Sequence, residues 1–228
     1  MPHIELQHLA KDSRWFGWAV TGIQTGHYLG RMPDPRTSAE LFLIQCGDPV
    51  GALVFGRPEA TRCADWYGSV EDVAAGRCEV TRWQVLNLSR VWIHTDYNCG
   101  GRLASPGRVP GFWDRTDMWR STLASEAIKS AMAVIGWWYL CLRPPCFLDE
   151  PYEIRWLLSY CDTRLHRGTI YRAAGFELYR TNDRGIQTWR TRLPGLEPEH
   201  HEDIRAIAET NPRSIYYRAK RTQLALEV

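Results

Sequence analysis

The sequence predicts a mixed α/β fold with helices flanking a central sheet, because strand-like and helix-like segments alternate along the chain. Pairs of apolar runs separated by turn residues occur in both halves, and a long helical pattern lies between them. The apolar fraction of 44% and the charged fraction of 24% are values of globular proteins. A chain of 228 residues suits one domain that buries a core without needing disulfides or a metal.

Local patterns define the elements of the first ninety residues. Amphipathic spacing after a potential capping residue, Asp12, predicts a helix, and the glycines that follow predict a loop. Two apolar runs split by Gly47-Asp48-Pro49 predict a hairpin. In chain order, the predicted elements are a helix over 12–20, a loop over 21–30, a hairpin of strands 41–46 and 50–55, and a strand within 82–93.

The rest of the chain opens with a long loop over residues 95–116, which are rich in Gly, Pro and Arg. Pro144-Pro145 stops a long helical pattern, Gly175 ends a short one, and residues 182–185 predict a hairpin turn. The elements predicted after the loop are a helix over 119–139, a strand over 154–160, a short helix over 166–174, a hairpin of strands 176–180 and 186–192, and a helix over 199–209.

We expect residues 1–195 to form one domain, and residues 196–228 to add a helix and a basic tail that pack on it or extend from it. The formal net charge is only +2, but just three of the 28 cationic side chains are Lys and the rest are Arg, which binds phosphate through a two-pronged fork. Residues 164–192 hold seven Arg against two acids, and residues 211–221 hold four basic side chains and no acid. This distribution predicts a polyanionic partner; GC-rich codon usage and an ordinary solvated surface are the alternatives.

Cysteine usage and hydropathy bear on the compartment. The seven cysteines include no C-x-x-C pair, which argues against a zinc ribbon or finger. The first ten residues are polar and mixed rather than a signal peptide, and the longest apolar run, residues 131–142, is too short to span a bilayer. We therefore expect a cytoplasmic protein with reduced thiols.

His27 and Tyr28 are the first candidate site residues, because they follow a predicted helix and lie between Gly26 and Gly30. Histidine exchanges a proton near neutral pH, and tyrosine donates a hydrogen bond or stacks on a base. The alternative interpretation is an ordinary pair of loop residues.

Arg90 is the second candidate, since it interrupts an otherwise apolar strand. A buried guanidinium is costly unless it finds an anion. Its functional interpretation is a clamp on a phosphate or on developing oxyanion charge, and a structural salt bridge is the alternative.

Asp162 is the third candidate, because it ends an apolar strand where a carboxylate could act as a base or an orienter. Helix capping is the alternative. In the segment that follows, helical spacing predicts Arg167 and Tyr171 on one face and Arg164 near Gly168. A helix N-terminus beside Gly168 could receive a phosphate.

The pattern requires no metal. The histidines at positions 3, 8, 94, 200 and 201 lack ligand spacing. A site built from His27, Asp162, His166 or Tyr171 stays open as an alternative, but nothing in the sequence demands it.

Three motifs resemble, in the same order, those of the Mom family of phage DNA-modification proteins. They are Gly26-His27-Tyr28-Leu29-Gly30, Leu88-Ser89-Arg90-Val91, and the block 159–176 with its S-Y-x-D and His-x-Gly-x-Ile-Tyr patterns. The resemblance implies a GNAT-like acyltransferase fold and conversion of the N6 amine of DNA adenine to a carbamoylmethyl derivative. It places the catalytic residues at His27, Tyr28, Arg90, Asp162 and Tyr171. It also implies an anti-restriction role in the host cytoplasm for a chain encoded by a bacteriophage.

The chain departs from the resemblance at two positions and lacks one superfamily signature. Residues 95–116 are longer than the connection expected there, and Leu165 stands where a glycine is expected. The pyrophosphate signature Arg/Gln-x-x-Gly-x-Gly/Ala is absent, and residues 120–125 stand in its place. The acyl donor is therefore unknown, with an aminoacyl-tRNA and an acyl-CoA as the two alternatives.

Double-stranded DNA is the predicted partner, with tRNA as a possible donor and no membrane. The residues predicted to contact substrate or DNA are Ser125, Arg102, Arg108, Arg164, His166, Arg167, Arg172, Arg218, Lys220 and Arg221. Two other function hypotheses stay open: a generic N-acyltransferase acting on a small amine or peptide, and a non-catalytic nucleic-acid-binding protein on the same fold.

Overall fold

The computed structural model describes residues 4–34, 37–94, 97, 123–142 and 153–195. Most of the predicted loop 95–116, the predicted helix 199–209 and the basic tail lie outside the described residues. The chain divides into two compact units. The first comprises Met1–Glu59, Asn87–Ala131 and Leu157–Thr191, and the second comprises Ala60–Leu86, Met132–Trp156 and Arg192–Val228.

A seven-stranded sheet dominates the described structure and confirms the predicted α/β class. Its strands are β1 (Glu5–His8), β2 (Glu40–Cys46), β3 (Asp48–Gly56), β6 (Val85–Ile93), β7 (Trp156–Asp162), β8 (Glu177–Thr181) and β9 (Ile186–Arg192), with β4 and β5 in a separate small sheet. The spatial order is β1-β2-β3-β6-β7-β9-β8. The pairs β1–β2, β2–β3, β3–β6 and β8–β9 are antiparallel. Strands β6 and β7, which carry Arg90 and Asp162, are therefore neighbours.

Both predicted hairpins are confirmed. Strands β2 and β3 are joined at Gly47, whose φ of +77° favours glycine. Strand β9 has the predicted bounds, and β8 begins one residue later than predicted. Their turn is closed by Asn182, whose Oδ1 accepts the backbone N–H groups of Arg184 and Ile186.

Helix α1 (Phe16–Gly26) covers one face of the sheet in the first unit. Its buried residues Ala19 and Ile23 join a core cluster with Val54 of β3 and Trp92 of β6, among others. The apolar side chains recur at helical spacing, so they form one face of α1 that is buried against the sheet. This burial is the main source of stability for a helix of this length.

The predicted position of this first helix is wrong. The helix begins four residues later than expected, and Trp15 rather than Asp12 is its N-cap, with no side-chain cap hydrogen bond. It also continues through residues predicted as loop. Gly22 and Gly26 lie against the Trp92 indole, where a Cβ would come within 2.2 and 2.4 Å of ring atoms, so these glycines permit close helix–sheet packing.

The remaining helices are shorter than predicted. The helix expected over 119–139 is two helices, α3 (Leu123–Met132) and α4 (Ile135–Leu142), interrupted at residues 133–134. The helix expected over 166–174 is α5 (Thr169–Ala173) alone. Arg167 therefore precedes the helix, and the predicted shared face with Tyr171 is wrong. Gly175, at φ +91°, ends α5 as predicted, with the Phe176 N–H donating to the Tyr171 carbonyl.

The second unit contains short elements that the sequence did not indicate. A two-stranded parallel sheet pairs β4 (Tyr67–Gly68) with β5 (Val80–Thr81), and α2 (Val70–Ala74) connects them. Helix α2 opens with a capping box in which Ser69 and Asp72 exchange hydrogen bonds. A 3₁₀ helix over Arg82–Gln84 leads into β6.

Three findings bear on the expectations about membrane spans, cysteines and metal binding. None of the helices in the described ranges is both long and apolar enough to cross a membrane. The cysteines at positions 46, 63, 78 and 161 are free thiols. Within those same ranges no cluster of three His, Cys, Asp or Glu side chains could hold a metal ion.

Candidate functional site

Sheet register and a β-bulge position Arg90. Val54 pairs with Arg90 and Ala52 with Trp92, so Arg90 lies on the sheet face that α1 covers. The register shifts between Val54 and Phe55, which leaves Ser89 as the extra residue on β6. Its Oγ donates to the Val54 carbonyl over 3.1 Å. Bulges of this kind aim a side chain and are common beside active sites.

Backbone carbonyls hold the Arg90 guanidinium. Its Nε donates to the Arg31 carbonyl over 2.9 Å and its Nη1 to the Ser89 carbonyl over 2.6 Å. The residue is 6% exposed, and burial lowers its pKa, although an arginine stays charged at neutral pH. Within the described ranges, no ion pair joins Arg90 to a carboxylate, so the structural salt bridge that was the alternative interpretation is not found there. The site thus contains a fixed, desolvated positive charge.

His27 is the residue at which α1 ends, and it begins a tight turn. The turn is closed by the Gly30 N–H donating to the His27 carbonyl over 2.8 Å, with Gly30 at φ +57°. The Leu29 N–H donates to His27 Nδ1 over 3.2 Å. Because Nδ1 accepts, the neutral imidazole carries its proton on Nε2. His27 is therefore prepared as a neutral hydrogen-bond donor.

The electrostatic surroundings keep His27 neutral. Its pKa is lowered from 6.5 to about 4, chiefly by burial and then by the charges of Arg90 and His166. In the neutral imidazole, Nδ1 already accepts from the Leu29 N–H and Nε2 carries the proton. His27 therefore has no free lone pair with which to take a proton from a substrate.

Tyr28 links the two sides of the site. Its ring lies 4.5 Å from the His27 ring and 4.8 Å from the His166 ring, centroid to centroid. Burial is the largest of the causes that raise the pKa of Tyr28. Electrostatic interactions with Cys161 and Asp162 raise it further, whereas Arg90 lowers it. Arg90 and Asp162 thus both act on Tyr28. The ring is still 38% exposed, which leaves part of its surface open to a ligand.

Asp162 is the last residue of β7, and Arg164 pairs with it. Arg164 Nε donates to Oδ1 over 2.9 Å, Nη2 to Oδ2 over 2.6 Å, and the Arg164 backbone N–H to Oδ1 over 3.0 Å. These bonds lower the pKa of Asp162 to about 2. The carboxylate thus accepts within its own turn, and the helix-capping alternative is wrong, because Gly168 is the N-cap of α5 and no side chain caps that helix. Asp162 and Arg90 share no ion pair within the described residues.

Tyr171 lies in the core of the first unit. It is 9% exposed, and its ring lies 5.6 Å from Phe176 and 6.2 Å from Trp189. Burial raises its pKa well above the ordinary value, and a hydrogen bond with Ser159 opposes that shift. Ser159 Oγ donates in turn to the Leu88 carbonyl of β6 over 2.8 Å. Tyr171 is therefore a neutral phenol that ties α5 to the central strands.

Gly168 makes the close packing around α5 possible. Its φ is +68°, and a Cβ there would lie 2.5 Å from the Trp189 ring. Both observations require glycine. The sequence motif around this residue thus has a packing explanation, independent of any phosphate.

The predicted binding residues differ in placement. Arg164, His166, Arg167 and Arg172 are exposed, and the Arg172 guanidinium lies 5.8 Å from the Trp189 ring centroid. Ser125 is fully buried in α3, so it has no surface through which to contact a substrate. The others lie outside the described residues: Arg102, Arg108, Arg218, Lys220 and Arg221.

Two polar residues near this site were missed from sequence. Ser159 bonds both Tyr171 and the Leu88 carbonyl. Asn87 is 4% exposed, on the same face of β6 as Arg90 given the bulge between them, and its Oδ1 has no hydrogen-bond partner among the described residues. A polar residue inside an apolar run is the signal that singled out Arg90, and it applied equally to Asn87.

Comparisons with known proteins show little. No protein-family model matches the chain, and no curated protein matches it. One solved structure to which the fold is similar is an acetyltransferase from Thermus thermophilus, at 15% sequence identity and a TM-score of 0.42. That likeness covers 83% of this chain and 97% of the other.

Proposed function

We propose that this chain is an acyltransferase-like enzyme that modifies the N6 amine of adenine in DNA, yielding a carbamoylmethyl-type product. The observation that carries the proposal is the position of Tyr28, which contacts His27 and His166 and feels the charges of both Arg90 and Asp162. Residues from three separated segments, each singled out from the sequence, thus either contact Tyr28 or act on it electrostatically.

The low reactivity and the buried position of the acceptor amine determine what the site must provide. The N6 lone pair is delocalised into the purine ring and lies inside the duplex, so the base has to be extruded before it reacts. The exposed part of Tyr28 offers a surface on which an extruded base can stack, with His166 beside it.

Attack of N6 on an acyl carbon places negative charge on the carbonyl oxygen. Arg90 supplies a positive charge that two backbone carbonyls hold in place. His27 supplies an Nε2–H that its low pKa keeps neutral. Fixed donors of this kind lower the barrier most when they need no reorganisation, and one such donor typically contributes about 10²–10³ in rate.

Asp162 is the base in this proposal. It would accept the N6 proton as the nitrogen–carbon bond forms, and the carbon–oxygen or carbon–sulfur bond of the donor breaks with its electron pair passing to the leaving group. The low pKa of Asp162 makes it a weak base while Arg164 holds both of its oxygens.

The residues of the chain suit one of the two alternative acyl donors better than the other. The diphosphate of an acyl-CoA would need the glycine-rich turn that is absent at residues 120–125, and Ser125 is fully buried. An aminoacyl ester on tRNA suits an Arg-rich surface better. A glycyl group on N6 has the same atoms as a carbamoylmethyl group. Glycyl transfer would therefore need a rearrangement that breaks the N6–carbonyl and methylene–amine bonds and forms N6–methylene and carbonyl–amine bonds, which is an isomerisation that needs no oxidant or reductant.

The exposed arginines between residues 164 and 192 would contact the phosphate backbone. Binding that releases counterions weakens steeply as salt rises, roughly in proportion to the number of phosphates contacted. We therefore expect the affinity for duplex DNA to fall by orders of magnitude between low and physiological salt.

Nucleoside mass spectrometry of DNA from cells expressing the chain tests this function. The wild type should yield an adenine nucleoside enlarged by a carbamoylmethyl group, and Asp162→Asn should not. Glu177→Gln is the matched control, because Glu177 also pairs with an arginine, Arg190, over 2.6 Å. Unmodified adenine with soluble, folded wild-type protein would overturn the proposal.

A further inference from the structure

The three hydrogen bonds that Asp162 accepts come from two kinds of donor. Two come from the Arg164 guanidinium, at 2.9 Å to Oδ1 and 2.6 Å to Oδ2, and the third comes from the Arg164 backbone N–H, at 3.0 Å to Oδ1. The Arg164 side chain can exchange its two bonds for bonds to another anion while the turn stays folded. The backbone bond belongs to the turn, in which the Leu165 and His166 N–H groups also donate to the Asp162 carbonyl.

The two partners differ in exposure. The Arg164 side chain is 74% exposed, whereas that of Asp162 is only 12% exposed. Solvent-exposed ion pairs contribute little to stability, so a competing anion can take the exposed partner at low cost. A guanidinium forms the same two-pronged pair with a phosphate as with a carboxylate.

We propose that Arg164 is a latch on Asp162, which closes over the carboxylate in the free protein and opens when a DNA backbone phosphate takes the guanidinium. This inference rests on the proposed function, since it assigns the phosphate to the duplex substrate. Opening uncovers Oδ2, while the backbone N–H still holds Oδ1 and keeps the carboxylate oriented. The base thus becomes available only after DNA has bound.

The groups around the carboxylate are consistent with this role. The protonated form of His166 also stabilises the Asp162 carboxylate. Tyr28, which feels the Asp162 charge, contacts His166 at 4.8 Å. Release of the Arg164 side chain therefore raises the basicity of Asp162 beside the ring on which we place the extruded base. Arg164 is a positioning residue, because it acts through Asp162.

Nuclear magnetic resonance of protein with ¹³C-labelled aspartate carboxyls tests the latch near neutral pH. The Asp162 carboxyl signal is identified by its loss in Asp162→Asn. Adding a short phosphodiester duplex should move that signal, and a duplex whose backbone is neutral methylphosphonate should not. In Arg164→Gln the signal should already lie away from its wild-type position, toward that of the DNA-bound wild type, and respond little to the duplex.

Arg77→Gln is the matched control, since Arg77 is also an exposed arginine that pairs with an aspartate, Asp72, over 2.9 Å, and it lies outside the residues predicted to contact DNA. It removes one positive charge from the surface, yet its Asp162 signal should start and move as in the wild type. The latch is overturned if the phosphodiester duplex leaves the Asp162 signal unchanged, or if Arg164→Gln responds as fully as the wild type.

The latch and the proposed function fail in different ways. Modified adenine in cells, together with an Asp162 signal that never responds to DNA, refutes the latch alone. A responding signal without modified adenine supports the latch and refutes the adenine chemistry.

Discussion

The two charges at the centre of the site are held in opposite ways. Arg90 is buried on β6 and bonded to backbone carbonyls, one of them 59 residues away in sequence. Asp162 ends β7 and is bonded by a neighbour two residues away whose side chain is mostly exposed. A charge held by the fold can stabilise a transition state without reorganising, whereas a charge held by a surface side chain can be regulated. The difference separates the fixed part of the site from its adjustable part.

The largest effect is expected from removing the fixed charge. Arg90→Gln should lower adenine modification in cells by about 10²–10³, because a preorganised donor to the oxyanion is lost. Arg62→Gln is the control, since Arg62 is an exposed arginine whose nearest acid, Asp72, lies at 3.8 Å. Comparable modification by Arg90→Gln and wild type, with both proteins folded by circular dichroism, would contradict this assignment.

The next effect concerns the helix that positions His27 and Tyr28. Gly22→Ala should lower the free energy of unfolding by about 2 kcal/mol, because the added methyl group overlaps the Trp92 ring and overpacking outweighs helix propensity. Gly17→Ala in the same helix has nothing within 4 Å of the new Cβ and should raise that free energy by about 0.5 kcal/mol. Urea unfolding of the pair measures both, and equal effects would mean that α1 does not rest on Trp92.

The stability of the fold should depend on pH in two separate windows, one set by His27 and the other by Asp162. The folded pKa of His27 is lowered to about 4 from 6.5, so the unfolded chain binds more protons between these values and stability falls as pH drops from 6.5 toward 4. The pKa of Asp162 is lowered to about 2 from 3.8, so its stabilising effect is lost only below pH 3.8.

Histidine signals in a nuclear magnetic resonance titration measure the first of these windows directly. The His27 signal should titrate near pH 4 in the wild type and at higher pH in Arg90→Gln, since one cause of the shift is removed. An ordinary pKa near 6.5 in the wild type would contradict the neutral-donor role.

The smallest effect is expected in the turn after β7. Thr163 Oγ1 donates to the Gly185 carbonyl over 2.8 Å in an exposed position, so Thr163→Val should lower the free energy of unfolding by about 0.5–1 kcal/mol. The His27 pKa should change little, because the two largest causes of its shift, burial and the Arg90 charge, do not involve this turn. A shift of the His27 signal in Thr163→Val would show that the two regions are coupled.

Sequence patterns predicted the sheet well where they reflect local alternation. Both hairpins, the carboxylate at the end of β7 and the burial of a cation in β6 follow from runs of apolar residues and their interruptions. The turn at residues 182–185 was predictable because Asn and Gly supply its hydrogen bonds and its positive φ.

The errors arise where a residue serves a distant partner. Gly22 and Gly26 predicted a loop, but both lie in α1. They are glycines because the Trp92 ring leaves no room for a Cβ at either position. One partner of Arg90 is the backbone carbonyl of Arg31, which no side-chain pattern reveals. By contrast, the pairing of Asp162 with Arg164 is local, and the sequence already placed them two residues apart.

A transfer assay with purified protein tests the central claim, that N6 of adenine is the acceptor. Two duplexes of the same sequence, one with adenine and one with 2-aminopurine at every adenine position, are incubated with the protein and a cell extract that supplies donors. The account predicts an enlarged nucleoside from the adenine duplex only, absent with Asp162→Asn. Equal modification of both duplexes, or none of either by active, folded protein, would contradict it.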